Sequence, residues 1–441
     1  MTALTVGFLL VAALVLLVLL GMQIAYALFI TAFAGVWIIR DNIELAFRLL
    51  SITAYNGIAD FLFATIPLFV LMGLLVSVSN VGRDTFEVAE ELLRRLLGGL
   101  GVATVAANTV FAAVTGVSIA SAAVFTRVAV PEMRRHGYRA GFAAGTVAGS
   151  SVLGMMIPPS LLLIIYGVLA EVSIGRMFIA GIIPGLMLAG GFVAMIMLLA
   201  WLRPGFVFES PEIARARQQE TARRMTNREI AVKLVPIVLL VVLVLGGLYS
   251  GFLTPTEAGG VGAFGALVIA LARRSLSWAR AWEVIRQTAV VSVAILILLI
   301  AAGFYSRMLS VAGLPAGIAG IVRDGGLSPM GFLLVYVTII LLMGMILDST
   351  SILLIMVPIV APIAQSMGFD LIHFGIITVL AVEIGLLTPP FGISVFTVHN
   401  TLSDRGVSVE QVFWGTTPFI LVMLAVLLAI ATIPALALAL I

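Results

Sequence analysis

Apolar residues dominate this chain in long runs, and three of them, at 6–39, 236–272 and 413–441, reach or exceed the length of about 20 residues that crosses a bilayer. The pattern predicts five complete crossings in each half: 5–20, 22–39, 57–79, 140–169 and 177–202, then 234–250, 255–272, 287–309, 372–399 and 412–440. Two other apolar stretches, 96–130 and 327–362, do not read as crossings. Small polar residues interrupt each near its middle, at "TGVSIAS" (115–121) and at "LDSTS" (347–351). A helix, a break and a second helix returning to the same side make a re-entrant hairpin. Such irregular backbone is tolerated at membrane depth only where protein buries it or where it lines a wet cavity.

Two of the crossings are themselves interrupted. "GMMIPP" (154–159) and "GLLTPP" (385–390) place a proline pair inside an apolar helix. Proline lacks an N–H and clashes with the carbonyl four residues back, so the pair breaks the helix. The two sites lie 231 positions apart, and the same shift lays Gly82 on Gly313, Ser118 on Ser349, Pro131 on Pro362 and Gly137 on Gly368. Glycine and proline matches in one register each mark a backbone requirement. The chain therefore reads as two homologous halves, 1–202 and 234–441. Each has a hairpin (96–130, 327–362) and a broken helix (140–169, 372–399), and a charged linker at 203–233 joins the halves. An odd number of crossings per half turns the second half upside down relative to the first. The expected fold class is an all-α polytopic membrane protein built of two inverted repeats, each with a re-entrant helical hairpin and a broken transmembrane helix, the architecture of secondary ion-coupled transporters.

Composition agrees and narrows the chemistry. Of 441 residues, 62% are hydrophobic and 10% charged, against about 25% charged in soluble domains. There is no cysteine, which excludes disulfides, thiolate metal sites and cysteine nucleophiles. The N-terminus lacks a basic n-region, so the first apolar run is expected to be retained. The sole lysine, Lys233, follows Val232, so no P-loop is present. The three histidines form no i, i+4 pair with another ligand and no H-E-x-x-H occurs, which argues against an intramembrane enzyme. The linker carries Arg203, Arg215, Arg217, Arg223, Arg224, Arg228 and Lys233, and its middle reads as an exposed helix. With the linker inside, only Arg40, Arg48, Arg176, Arg307 and Arg323 of the 24 basic residues face out, as the positive-inside rule requires. Both termini are then periplasmic. "TPTE" (254–257) reads as a capping box that starts a span.

A broken helix exposes carbonyls at one half-helix end, which coordinate Na⁺, and N–H groups at the other, which suit a carboxylate. The expected Na⁺ ligands in the first half are Gly116 and Ser118 at the hairpin tip with Ser150, Ser151 and Gly154 of the broken helix. In the second half they are Asp348, Ser349, Thr350 and Ser351 with Gly385 and Thr388, Asp348 being placed to neutralise a cation. Hard oxygen donors of this kind suit Na⁺ far better than a transition metal. Substrate is expected against Ser118, Ser121, Pro158, Pro159, Ser160, Thr350, Pro389, Pro390 and Glu383. Structural alternatives stand beside these. A proline pair can be a packed kink, and Ser118 or Ser349 can bond back to its own helix. Glu383, whose counterpart in the repeat is Val152, is either a coupling residue or half of a structural pair. Asp60 reads as interfacial, His136 and His373 as structural, and Met155 and Met156 as core.

Several long motifs resemble, in order, the large membrane subunit of tripartite ATP-independent periplasmic (TRAP) transporters. They are "TGVSIASAAVF" (115–125), "PEMRRHGYRAGFAAG" (131–145), "LGMMIPPSLLLIIYGV" (153–168), "FIAGIIPGLM" (178–187), "GFLTPTEAGGVGA" (251–263), "DLIHFGII" (370–377) and "EIGLLTPPFGISVF" (383–396). The resemblance implies an elevator-type carrier in the bacterial inner membrane, importing an organic anion with Na⁺. It also implies a small membrane subunit that braces the scaffold and a periplasmic substrate-binding protein that delivers the anion. One departure is local. The family's first hairpin tip reads closer to Ser-Gly-Ser-Ser, whereas here it is Thr115-Gly116-Val117-Ser118, so Val117 removes a hydroxyl and leaves backbone coordination. The rival reading is a stand-alone dicarboxylate or citrate carrier of the same plan, with no soluble partner.

Overall fold

In lipid, backbone N–H and C=O groups find no water, so a chain this apolar satisfies them within helices. The computed structural model describes residues 2–209, 225–402 and 406–441, and its elements are helical apart from one isolated bridge between Tyr138 and Phe208. The first half runs α1 (Ala3–Leu19), α2 (Ile24–Arg40), α3 (Ile43–Ala59), a 3₁₀ turn (Phe61–Ala64), α4 (Thr65–Val78) and α5 (Val81–Leu93). It continues with α6 (Gly99–Thr115), α7 (Ser118–Arg135), α8 (Ala140–Ser151), α9 (Leu153–Met156), α10 (Leu161–Leu169), α11 (Ile174–Leu202) and the short α12 (Pro204–Val207). The second half runs α13 (Asn227–Tyr249), α14 (Pro255–Ala272), α15 (Trp278–Ala312), α16 (Leu314–Asp324), α17 (Pro329–Gly344) and α18 (Ser349–Ser366). It ends with α19 (Leu371–Gly385), α20 (Ile393–Thr401), α21 (Val409–Thr432) and α22 (Ala435–Leu438).

At the 231-residue shift α6 and α7 fall on α17 and α18, α8 on α19, α10 on α20 and α11 on α21. Backbone details recur with them. Ser118 and Ser349 each open the second hairpin helix, and Pro131 and Pro362 lie inside it. Gly137 and Gly368, at φ 79° and 86°, follow its end, and both proline pairs are joined by cis peptide bonds.

Several boundaries differ from the sequence expectation. The hairpins run to Arg135 and Ser366, a turn beyond 130 and 362. The first break is confined to Gly116 and Val117, and the second to 345–348, so Ser118–Ser121 and Ser349–Ser351 are already helical. The expected span at 57–79 starts at Phe61, because Asp60 ends α3 and caps the 3₁₀ turn by accepting the Leu62 N–H at 2.9 Å. Its counterpart in the second half is one unbroken helix of 35 residues, α15. The linker is shorter than 203–233: α13 already begins at Asn227 behind a Thr226–Glu229 capping box. Arg215, Arg217, Arg223 and Arg224, with the helix expected around them, lie outside the described residues. The last span stops at Thr432, and Pro434 precedes the short α22. By length and composition seven described helices are long and apolar enough to cross a bilayer, six of them expected crossings and the seventh the hairpin helix α18, and the bent pair around the first proline break, at 44°, makes an eighth. The remaining three expected crossings begin in shorter apolar helices: α1 and α2 have 17 residues each, and α19, with 15, is the first half of its broken helix.

Packing follows small residues. The α8 and α21 backbones touch, since a Cβ on Gly415 would lie 1.9 Å from the Gly141 carbonyl oxygen. Small side chains let membrane helices approach this closely, where burial from water supplies no drive. Helix α4 lies along α14, joined by the Thr65 and Thr256 hydroxyls at 2.7 Å, and α2 lies along α15. The halves interlock at the centre. Segment α10 packs on α18 and α19, and α20 packs on α7 and α8. The Tyr166 hydroxyl donates to the Leu371 carbonyl at 2.7 Å across that seam. The expected capping box at 254–257 is present, with Pro255 at the first helical position and Thr254 and Glu257 bonded reciprocally.

Candidate functional site

The first hairpin tip and the first broken helix meet backbone to backbone. Gly116 has φ +62°, and a Cβ on it would lie 2.5 Å from the Pro159 carbonyl oxygen. Only glycine holds that left-handed turn in that space. Its carbonyl accepts the Leu161 N–H at 3.1 Å, which ties the tip to the start of α10. Gly154 faces the tip from the other side, where a Cβ would sit 3.2 Å from the Val117 carbonyl carbon and 3.3 Å from the Ser118 nitrogen. With proline at 158, the Gly154 carbonyl has no N–H four residues on to accept. Helix α7 begins here, so its first N–H groups, together with buried Ser118, point to the same place.

The expected serines divide by chemistry. Ser150 and Ser151 donate to the Thr146 and Ala148 carbonyls at 2.6 and 2.7 Å. Ser160 donates to the Met155 carbonyl at 2.5 Å and caps α10. Each oxygen keeps a lone pair as acceptor, although Ser150 accepts from Asn108 and Ser160 from the Leu163 N–H. Ser118 and Ser349 open their helices, so no preceding turn exists for either to bond back to, which removes the back-bonding alternative there. Ser121 is joined to Ser150 through Asn108: the Ser121 hydroxyl donates to the Asn108 Oδ1 at 2.5 Å, and Nδ2 donates to the Ser150 Oγ at 2.6 Å.

The second cluster repeats the plan with different side chains. The end of α17 meets the end of α19 at Gly344 and Gly385, where a Cβ on either would lie within 2.7 Å of the other's Cα. Asp348 caps α18, accepting the Ser351 N–H at 3.1 Å and the Ser351 hydroxyl. Ser349 and Ser351 are buried, and Thr350 is half-buried. The Thr388 hydroxyl donates to the Ile384 carbonyl at 2.7 Å, and the Leu386 carbonyl accepts from Ser394 across the break. The two breaks differ in one respect that the repeat does not predict. Pro158 and Pro159 are buried, whereas Pro389, Pro390 and Phe391 are exposed.

Two helix–break–helix hairpins, each touching a proline-broken helix, are the arrangement to set beside known proteins. The family model for the tripartite ATP-independent periplasmic transporter, DctM component, matches residues 11–436. The chain belongs to that family. It is 33% identical over 397 residues to the C4-dicarboxylate TRAP transporter large permease protein DctM of Pseudomonas aeruginosa, covering 89% of each chain. It is 30% identical to the 2,3-diketo-L-gulonate TRAP transporter large permease protein YiaN of Escherichia coli, covering 94% of each. Among solved structures, the YdaH transporter of Alcanivorax borkumensis superposes with a TM-score of 0.59 at 14% identity, over 88% of each chain, a likeness of fold. The chain is thus a multi-span component of a TRAP transporter, a family of transport proteins.

For a TRAP permease, sequence reasoning missed some of the polar residues that organise the clusters. Asn108, wholly buried in α6, is the bridge of the first, and a lone amide inside "VAANTVF" was its signal. Tyr336 and Thr378, whose hydroxyls meet at 3.0 Å, join α17 to α19 in the second, as Asn108 joins α6 to α8 in the first. Glu383, in the turn before the second break, is wholly buried, and neither carboxyl oxygen has a hydrogen-bond partner among the described residues. Among the described residues it forms no structural pair. His373 is structural, as expected, bonded through Nε2 to the Ile430 carbonyl at 2.8 Å.

Proposed function

We propose that this chain is the membrane path of a three-part, Na⁺-driven importer of a carboxylate-bearing solute, and that its solute site moves across the membrane by an elevator motion. The observation that carries the reading is the Gly116–Pro159 and Gly344–Gly385 pair of contacts. Each brings a helix start, free carbonyl oxygens and serine or threonine hydroxyls together at a broken helix, which is the ligand set of a Na⁺ ion and an anion. In the first half Gly116, Ser118, Ser150, Ser151 and Gly154 supply the cation oxygens. In the second Asp348, Ser349, Thr350, Ser351, Gly385 and Thr388 supply them.

The solute sits between the tips. Ser121, Ser160 and the carbonyls around Pro158, Pro159, Pro389 and Pro390 line its site, with Glu383 as the coupling carboxyl. Both named relatives carry carboxylates, which supports that class. The exposed second break and the buried first one fit a carrier with one side of the site open. Ions bound at the tips favour closure over the solute, and each net positive charge moved through 100 mV adds about 2.3 kcal/mol of driving force. The partners are a small membrane subunit, a periplasmic binding protein and the inner-membrane bilayer. With residues 225–233 inside, both termini lie outside.

Uptake of a labelled organic-acid panel into proteoliposomes, holding this chain and its small membrane partner, tests the reading. Accumulation is expected only with an inward Na⁺ gradient and the cognate binding protein. Uptake indifferent to Na⁺ would remove the ion sites, and uptake without the soluble partner would make this a stand-alone carrier.

A further inference from the structure

A cleft of about 620 Å³ opens between α3 and α15 on one wall and the α10–α11 turn with Pro358 of α18 on the other. It lies apart from both hairpin tips, and its walls join helices of the scaffold to the hairpin and broken-helix group. Arg307 of α15 lines it, half-buried, and forms no ion pair with a described residue. A half-buried guanidinium that is held in no ion pair leaves its fork of N–H donors open to a ligand. Two carboxylates line the same cleft without forming an ion pair with Arg307. Asp60 is engaged in capping the 3₁₀ turn, and Glu171 stands exposed at the turn between α10 and α11.

We propose that this cleft is an outer receiving site for a monocarboxylate, occupied before the solute reaches the hairpin tips, with Arg307 as its clamp. The proposal rests on the transport reading and deepens it by naming a solute class. The planar fork of arginine matches a carboxylate with two parallel hydrogen bonds, which lysine cannot make. The Ser306 hydroxyl and the Asn56 amide in the same cleft offer further donors and acceptors. Asp60 and Glu171 set the discrimination. They repel a second carboxylate and favour a solute whose other groups are hydroxyls or cationic.

The absence of cysteine from the chain makes the test direct. Leu62→Cys, or Ser173→Cys across the cleft, is introduced into the full transporter and labelled with an uncharged thiol reagent, without Na⁺ or binding protein. Gluconate is expected to slow labelling severalfold, succinate less, and choline not at all. In the Arg307→Gln background the gluconate protection disappears, and in Arg307→Lys it weakens. Equal labelling with and without gluconate at both positions overturns the proposal, as does protection that survives Arg307→Gln. Protection by succinate that exceeds protection by gluconate overturns the assigned class. Uptake by the same single-cysteine proteins separates the two readings. Protection without Na⁺-driven uptake keeps the cleft and refutes coupled transport, and uptake without protection does the reverse.

Discussion

Gly116→Ala probes the first tip with the least change of chemistry. The substitution asks a residue with a Cβ to hold φ +62°, at about 1–2 kcal/mol. It also places that Cβ 2.5 Å from the Pro159 carbonyl oxygen, a backbone atom that a rotamer change cannot move. The tip must recede, which stretches the Leu161-to-Gly116 hydrogen bond from its 3.1 Å, at about 1 kcal/mol. Together these reach about 2–3 kcal/mol against the closed tip, or roughly 30- to 150-fold in an equilibrium that needs it closed. The assay is thermal unfolding of the purified transporter titrated with NaCl, choline chloride keeping ionic strength constant. The Na⁺ concentration for half-maximal stabilisation is expected to rise by a factor of that order, with a melting point lower by several degrees without Na⁺. Gly260→Ala is the control, because the only atom near its added Cβ is Leu68 Cδ1 at 3.9 Å. A Gly116→Ala protein that titrates and melts like the parent would refute the reasoning.

Three further substitutions separate the remaining roles. Asn108→Leu removes both bonds of the Ser121–Asn108–Ser150 bridge, and at about 0.6 kcal/mol each for membrane hydrogen bonds the loss is about 1 kcal/mol. A double-mutant cycle with Ser121→Ala in thermal unfolding should show positive coupling, and strict additivity would deny the bridge. Glu383→Gln replaces a buried carboxyl and sacrifices no described hydrogen bond, so its melting point should not fall while coupled uptake does; a destabilised protein would mean the carboxyl has an unrecognised partner. On α5, outside the spans, burial pushes the Glu90 carboxyl up to about 6, with the nearby Glu132 carboxylate adding to it. The folded protein thus holds a proton that the unfolded chain releases above pH 4.5, and stability falls as pH rises from 4.5 to about 6. Glu90→Gln should therefore melt higher than the parent at pH 7.5 and no higher at pH 4.5, and a difference independent of pH would contradict this.

How far the sequence reached follows from which interactions are local. Apolar run length, the Thr254–Glu257 cap, the paired prolines and the polar interruptions of the hairpins depend on residues a few positions apart. All of them were legible, together with the 231-residue register that aligns Ser118 with Ser349 and Gly137 with Gly368. Charge in the loops predicts an orientation from equally local information. Tertiary structure decided what depends on distant backbone. It set Gly116 against Pro159 and Gly344 against Gly385, and made Asn108 the bridge between two serines. It buried one proline break and exposed the other, although the two read alike. It also brought Arg307 to a cleft with Asp60 and Glu171, from three separate segments. The reason is physical: a broken helix is written in the residues that break it, but what solvates its free oxygens and N–H groups is set by the elements packed around it.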